Sequence, residues 1–200
     1  MKSNRTDLAD AIAAARPRLA DLAEPFYHFA TVGSTNDAAV ELAVEGAVVV
    51  ADAQTSGRGR RGHVWFSPPL SGLYVSVVLA PGRSRVDPHR AASLLTLAAG
   101  VAVAEGVETA AGLRLELKWP NDVQVRGRKL AGILAETTRD STPPVLNSRE
   151  RVGVRALGGS GSAPTIVLGY GINISADAYP PDLRDRATSC LLYTSPSPRD

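Results

Sequence analysis

The chain has 200 residues and a mass of 20.9 kDa, the usual size of one domain or of one domain with an appendage. Its apolar fraction of 44% and charged fraction of 21% are typical of a soluble globular protein, and its net charge of +2 argues against a dedicated nucleic-acid-binding protein. The single cysteine, Cys190, excludes an intrachain disulfide and a cysteine cluster for zinc. The apolar run at 91–104 is too short to span a bilayer and the N-terminus lacks a signal-peptide pattern, so we expect a soluble, cytoplasmic protein.

Hydrophobic periodicity and turn residues predict helices interspersed with short strands. In chain order they predict a helix at 7–23 bent at Pro17, a strand at 26–32, a helix that begins after Ser34 or Thr35 and ends at Gly46, strands at 47–53 and 73–79, a helix at 87–107, strands at 113–119, 122–125 and 130–137, an edge strand at 151–156, and a strand at 166–168 that leads into a glycine turn at 169–171. Because a Pro-Asn-Asp turn separates the strands at 113–119 and 122–125, we expect a hairpin there. This mixture favours an α+β fold over a doubly wound parallel sheet.

A long Gly- and Arg-rich loop at 54–72 carries the strongest local signal, Gly57-Arg58-Gly59-Arg60-Arg61-Gly62-His63. Its glycines let main-chain N–H groups point at one anion, and its arginines supply permanent planar charges for a phosphate or a carboxylate. The loop lacks the G-x-x-x-x-G-K-[ST] pattern of the P-loop. Taken alone, it also fits a solvated basic loop, which is the more common use of such sequences.

A second signal is Lys118-Trp119-Pro120-Asn121-Asp122, in the predicted hairpin. Lys118 is one of only three lysines among 22 basic residues, and a lysine beside a tight turn can reach a transferring phosphoryl group as a point charge. Asn121 and Asp122 either hold the turn through side-chain to backbone bonds or help to hold a nucleotide-bound metal. We expect Trp119 to serve packing.

Short polar side chains follow the first predicted strand, at Ser34-Thr35-Asn36. They either cap the next helix or recognise a urea or amide group of a ligand. The segment Gly169-Tyr170-Gly171-Ile172-Asn173 lacks the third glycine of a dinucleotide fingerprint, and we expect only a tight turn there. The histidines are scattered and form no metal spacing or Ser/His/Asp arrangement, so metal ligands stay unassigned.

Taken in order, STN, QTSGRGRRG, W followed by SPP and GLYVS, KWPND, RKLAGILAE and GYGIN resemble the catalytic domain of biotin–protein ligases. The resemblance runs from about Tyr27 to Ser189, which is most of the chain. It implies an α+β domain with a mixed, mostly antiparallel sheet and flanking helices, related to class II aminoacyl-tRNA synthetase catalytic domains. It also divides the chain into an N-terminal helical segment at 1–25, a catalytic domain at 26–189 and a tail at 190–200.

The activity implied by the resemblance is that of an ATP-dependent biotin–[biotin carboxyl-carrier protein] ligase. Such an enzyme joins biotin to ATP as biotinyl-5′-AMP and then transfers biotin to a specific lysine of the biotin carboxyl carrier domain of a biotin-dependent carboxylase. Biotin and ATP are then the substrates, and Mg²⁺ is expected with ATP. We expect binding to neither DNA nor a membrane, and a homodimer is possible.

The resemblance also implies roles for individual residues. The positions that match biotin contacts are Ser34, Thr35, Asn36, Gln54, Arg58, Gly59, Arg60 and Lys118. Arg60 and Lys118 are expected to be catalytic and, with Asn173, to bind the nucleotide. Adenylation brings the biotin carboxylate and the α-phosphate together, so cationic Arg60 and Lys118 would offset the repulsion between two anions. A loop that orders over the fragile adenylate would exclude water from it.

The two ends of the chain depart from the family pattern. About 25 residues precede Tyr27, so we expect no winged-helix DNA-binding domain. After Ser189 the expected apolar segment and small C-terminal β-barrel are replaced by a Ser- and Pro-rich string, which predicts a disordered or artefactual tail. We therefore expect a truncated ligase in which residues 190–200 are dispensable for stability and for biotin binding.

Two alternative functions stay open on the sequence. A lipoate–protein ligase shares the fold and the acyl-adenylate chemistry, but it is expected to carry a different arginine and histidine motif instead of GRGRRG with KWPND. The other alternative is a truncated fragment that binds biotin or a nucleotide without completing the transfer.

Overall fold

The structure is a computed structural model that describes residues 4–19, 22–79, 88–138 and 165–194. The helices in these ranges are α1 (Asn4–Leu19), α2 (Thr35–Leu42), α3 (Pro88–Ala111) and α4 (Leu191–Thr194). The strands are β1 (Phe26–Phe29), β2 (Val48–Ala51), β3 (Gly72–Leu79), β4 (Glu116–Lys118), β5 (Asp122–Val125), β6 (Arg128–Thr138) and β7 (Thr165–Asn173).

The described strands form one sheet in the order β1-β2-β3-β7-β6-β5-β4. β1 and β2 pair in parallel, and each of the other neighbouring pairs is antiparallel. The predicted hairpin is present, because β4 and β5 pair with Lys118 opposite Asp122. The sheet confirms the predicted α+β class with a mixed, mostly antiparallel sheet and flanking helices.

Helices α2 and α3 cover opposite faces of the sheet. Val167 of β7 packs in a core cluster with α2, whereas Leu168 and Ile172 pack in the cluster that contains α3. Successive side chains of a strand point to opposite faces, so the odd-numbered residues of β7 face the side of α2. Gly169 and Gly171 therefore lie on the α2 side, where the open cleft described below is found.

Two sequence expectations about glycines are wrong. Helix α2 ends at Leu42 rather than at Gly46, because Ala43 takes the left-handed conformation (φ 48°) and its N–H bonds to the carbonyl of Ala39. Residues 169–171 are not a turn either, since β7 runs unbroken through them and pairs with both β3 and β6. Gly169 and Gly171 instead allow side chains to pack directly against the strand. The predicted edge strand at 151–156 lies outside the described residues.

Helix α3 is more apolar and longer than the sequence run at 91–104 suggests. By length and composition alone, residues Leu94–Ala111 could cross a membrane. In the structure this helix lies on the sheet, where Ala99, Val103 and Val107 join the core cluster with β5 and β6. A core helix meets the same length and hydropathy criteria as a membrane span, and packing against the sheet is the role that the structure gives α3.

The chain after Ser189 does not behave as the predicted disordered tail as far as Thr194. Cys190 is buried, and its N–H bonds to the carbonyl of Asn173, while burial raises the pKa of its thiol. The hydroxyl of Tyr193 in α4 accepts hydrogen bonds from Arg128 (2.8 Å) and Thr188 (3.0 Å). Residues 190–194 are therefore packed onto the sheet by backbone and aromatic contacts that composition did not indicate. Residues 195–200 lie outside the described ranges.

Candidate active site

An open cleft lies on the α2 face of the sheet, beneath the Gly- and Arg-rich loop. Its lining residues come from the start of α2, the loop, the β4–β5 turn, β6 and β7. They are Ser34, Thr35, Asn36, Gln54, Arg58, Gly59, Arg60, Trp65, Asn121, Lys129, Gly132, Ile133, Leu134, Gly169, Tyr170 and Gly171.

The first turn of α2 supplies one polar wall of the cleft. Ser34 is the N-cap residue of α2 but makes no side-chain capping bond, so capping does not account for the Ser-Thr-Asn run. Gln54 Oε1 accepts from both the Thr35 N–H (2.8 Å) and the Thr35 hydroxyl (3.1 Å), and Gln54 Nε2 donates to Ser67 (2.9 Å). The parallel bridge between Val32 and Gln54 brings the two segments together. The wall is therefore a set of neutral hydrogen-bonding groups in fixed orientations.

Glycines on β6 and β7 form the floor of the cleft. A Cβ atom at Gly169 would overlap the Asn36 amide, and one at Gly171 would overlap the Trp65 indole. Gly132, which pairs with Gly171 across the strands, would place its Cβ 2.9 Å from Trp65 Cζ3. The GYG segment thus lets Asn36 and Trp65 lie directly on the sheet, which explains glycine inside a central strand.

Two arginines of the loop reach the cleft with different partners. Arg58 is held between two carboxylates, because it pairs with Asp37 (3.1 Å) and with Glu136. Arg60 instead donates to the neutral amide oxygen of Asn121 (3.2 Å). The charge of Arg58 is therefore largely balanced within the protein, whereas that of Arg60 is available to an incoming anion.

Lys129 of β6 is a cleft residue that the sequence reasoning did not single out. Its Nζ lies 2.7 Å from Oδ1 of Asp122 and 5.2 Å from the centroid of the Trp65 ring. A signal was available, since Lys129 is another of the three lysines and lies within the RKLAGILAE motif. Lys129 is therefore a further cation in the cleft that Arg58 and Arg60 line.

Two predicted site residues lie elsewhere. Lys118 is exposed on β4 and borders a smaller cleft of about 220 Å³, which also contacts α3 and shares Asn121 and Ile133 with the larger one. Asn173 is buried at the end of β7, where its Nδ2 donates to the carbonyl of Thr188 (3.0 Å). The structure therefore brings together Ser34, Thr35, Asn36, Gln54, Arg58, Gly59 and Arg60, but not Lys118 or Asn173.

Burial raises the pKa of Tyr170 on β7, whose side chain packs with the core cluster on the α3 side of the sheet. Within the described ranges, no group of three His, Cys, Asp or Glu side chains could hold a metal ion. The cleft therefore combines the neutral polar groups around Thr35 with the cations of the loop and of β6.

Comparisons with known proteins identify relatives of this chain. A family model described as "Biotin/lipoate A/B protein ligase family" matches residues 30–145. The chain is 38% identical over 164 residues to the bifunctional ligase/repressor BirA of Bacillus spizizenii, and this alignment covers 79% of the chain and 43% of that protein. It is 35% identical over 171 residues to the biotin–[acetyl-CoA-carboxylase] ligase of Mycobacterium tuberculosis, covering 81% of the chain and 53% of that protein. The chain thus spans about half the length of these curated relatives.

The fold is also similar to that of solved ligases. The biotin protein ligase of Aquifex aeolicus in complex with biotin and ATP superposes with a TM-score of 0.64 at 30% identity, covering 84% of this chain and 60% of that one.

Proposed function

The chain belongs to the biotin/lipoate A/B protein ligase family, and on that premise we propose that it activates biotin with ATP and transfers it to a carrier lysine. The observation that carries the proposal is the pairing, in one cleft, of the neutral polar wall around Thr35 and Gln54 with the cations Arg60 and Lys129. Biotin has matching chemistry, because a cyclic urea lies at one end of the molecule and a carboxylate at the other. The relatives named above support biotin over lipoate as the substrate.

The first step forms a bond between a carboxylate oxygen of biotin and the α-phosphorus of ATP, and pyrophosphate leaves with the electron pair of the broken P–O bond. Both reactants are anionic, so Arg60 and Lys129 would lower the barrier by stabilising the charge that develops between them. Asp122 and Trp65 would hold the Lys129 ammonium at the cleft wall in the meantime. Arg58, already paired with two carboxylates, would anchor the loop.

In the second step the neutral amine of an acceptor lysine attacks the acyl carbon, AMP leaves and the amine loses a proton. We propose the biotin carboxyl carrier domain of a carboxylase as the acceptor. The two predicted contacts outside the larger cleft remain predictions: Lys118 borders the adjoining cleft, from which it would reach the nucleotide phosphates, and Asn173 would lie near the adenine.

Mg²⁺ would accompany the phosphates of ATP and offset their charge. The described residues offer no cluster of ligands for the ion, so we assign it no protein ligand and derive no step through it. A cytoplasmic location, independence from membranes and a homodimer are further parts of the proposal.

The proposal is tested with a biotin carboxyl carrier domain, labelled biotin and ATP. We expect label to enter the carrier only when ATP is present, and unlabelled biotin to compete whereas lipoate does not. Equal competition by lipoate would instead favour the lipoate ligase. Binding of biotin without any incorporation, even at high enzyme concentration, would favour the fragment that binds but does not transfer.

A further inference from the structure

We propose that Glu136 of β6 is a positioning residue that orients the hydrogen-bonding groups offered to the urea ring of the substrate. The proposal rests on the proposed function and assigns a role to a side chain outside the predicted contacts. Glu136 is partly buried behind the cleft wall, where it accepts a hydrogen bond from Asn36 Nδ2 (2.7 Å) and pairs with Arg58. It therefore ties α2 and the Gly- and Arg-rich loop to the sheet at one point.

The carboxylate fixes which way the Asn36 amide points. An ionised carboxylate only accepts hydrogen bonds, so the Asn36 atom beside it must be the NH₂ group and Oδ1 must point the other way. Oδ1 then faces the hydroxyl of Ser76 at 2.6 Å, and Ser76 donates to it. Asn36 cannot swing away, because its amide is pressed against Gly169 of β7.

Ser76 also contacts Thr35, whose Oγ1 lies 2.8 Å from Ser76 Oγ. The Thr35 hydroxyl donates its own hydrogen to Gln54 Oε1, so it accepts from Ser76, which shares its hydrogen between Thr35 and Asn36. The donors therefore run in one direction from Ser76 through Asn36 to Glu136. Such a chain is worth more than its separate bonds, because each polarises the next in a low-dielectric surrounding.

The orientation of Asn36 decides which hydrogen-bonding groups the cleft presents to a ligand. Asn36 keeps a second amide hydrogen that can donate to a urea carbonyl, and Thr35 Oγ1 keeps a lone pair that can accept from a urea N–H. Turning the Asn36 amide over would replace its donor with an oxygen and place two acceptors against each other. Glu136 would thus set the recognition of a urea ring without touching it.

The test measures the affinity of the whole chain for biotin and, separately, for ATP by calorimetry, with variants of Glu136. In Glu136→Ala the direction of the chain is lost, and we expect biotin to bind about tenfold or more weakly while ATP affinity is nearly unchanged. Glu136→Gln keeps an oxygen acceptor for Asn36 and should restore part of the lost affinity. Glu41→Gln, the same charge change on the exposed side of α2, is the matched control and should bind biotin normally.

Asp37→Asn separates orientation of Asn36 from anchoring of Arg58, because Asp37 contacts Arg58 but not Asn36. We expect it to weaken biotin binding much less than Glu136→Ala does. Equal biotin affinity in wild type and Glu136→Ala, or equal losses for biotin and ATP, would overturn the proposal. If Glu136→Ala does not fold, the losses of biotin affinity and ATP affinity are compared in Glu136→Gln instead. A wild-type chain that binds no biotin would refute the proposed function rather than the role of Glu136.

Discussion

The ammonium nitrogen of Lys129 lies 2.7 Å from a carboxylate oxygen of Asp122, where the wall of the larger cleft meets the hairpin turn. The pair joins two sequence motifs, KWPND and RKLAGILAE, and holds a cation beside the cleft without leaving it unpaired. At this position the Lys129 ammonium can leave the Asp122 carboxylate and bind a substrate anion instead. Lys129 lines the larger cleft and Lys118 does not, so under the proposed function we expect Lys129 to contact the reacting carboxylate and α-phosphate.

Replacing Lys129 with glutamine should slow adenylate formation by a factor of roughly 10² to 10³, because a charge contact to the transition state is lost. Pyrophosphate release with biotin and ATP measures this rate. The matched variant Lys118→Gln removes the lysine that borders the smaller cleft, and we expect a clearly smaller decrease. A larger decrease in Lys118→Gln than in Lys129→Gln would reverse the assignment.

Removing the charge of Arg60 should weaken the retention of the adenylate more than the binding of free biotin. The Arg60 guanidinium has a neutral amide as its partner, so it is available to the phosphate of the adenylate, which free biotin lacks. We expect Arg60→Ala to speed dissociation of biotinyl-5′-AMP by about tenfold or more with a smaller change for biotin. Rapid-dilution chase experiments give both rates. Unchanged dissociation of the adenylate would exclude this role.

The glycine at position 169 is required by the side chain of Asn36. Gly169→Ala would force a methyl group into the Asn36 amide, so we expect loss of biotin binding and destabilisation by about 1–3 kcal/mol. The control is Gly106→Ala in α3, where an added Cβ meets nothing and helix propensity favours alanine by about 1 kcal/mol. The midpoint temperature of thermal unfolding should fall for Gly169→Ala and rise for Gly106→Ala. A neutral Gly169→Ala would show that the Asn36 contact can relax.

Helix α4 should contribute to stability, in contrast to the expectation from the sequence that residues 190–200 are dispensable. Tyr193 packs against the core cluster and its hydroxyl accepts two hydrogen bonds, so Tyr193→Ala should lower the free energy of unfolding by about 2–3 kcal/mol. Leu192→Ala, at a side chain that is 52% exposed, should have little effect. Denaturant titration distinguishes the two. If both variants were as stable as the wild type, the expectation that this segment is dispensable would hold.

Burial raises the pKa of Tyr74 to about 12, and its hydroxyl donates to the carbonyl of Pro68 at 3.2 Å. The folded state therefore keeps this proton at a pH where the unfolded chain has lost it. The stabilising contribution is fully present below about pH 10 and is lost as the pH rises toward 12, at up to about 1.4 kcal/mol per pH unit. Comparing unfolding of wild type and Tyr74→Phe across this range isolates the effect, and identical slopes would contradict it.

The sequence pattern predicted most of the fold and the polar wall of the cleft around Thr35. The sheet class, the hairpin at Pro-Asn-Asp and the cluster around Thr35 follow from periodicity, turn chemistry and motif order. Gly169 was misassigned because a glycine in a turn and a glycine beneath a packed side chain look alike until the opposing Asn36 is known. Lys129 and Glu136 were missed for the same reason, since their roles depend on partners brought together by the sheet.

The most direct test of the account is whether the chain makes biotinyl-5′-adenylate by itself. Stoichiometric chain, biotin and ATP are mixed, and the protein-bound fraction is analysed by mass spectrometry under conditions that preserve the complex. The account predicts a bound species with the mass of biotinyl-5′-AMP, formed with release of pyrophosphate, and none with lipoate in place of biotin. Bound biotin and intact ATP with no adenylate, from a chain that is folded and saturated with both, would contradict it.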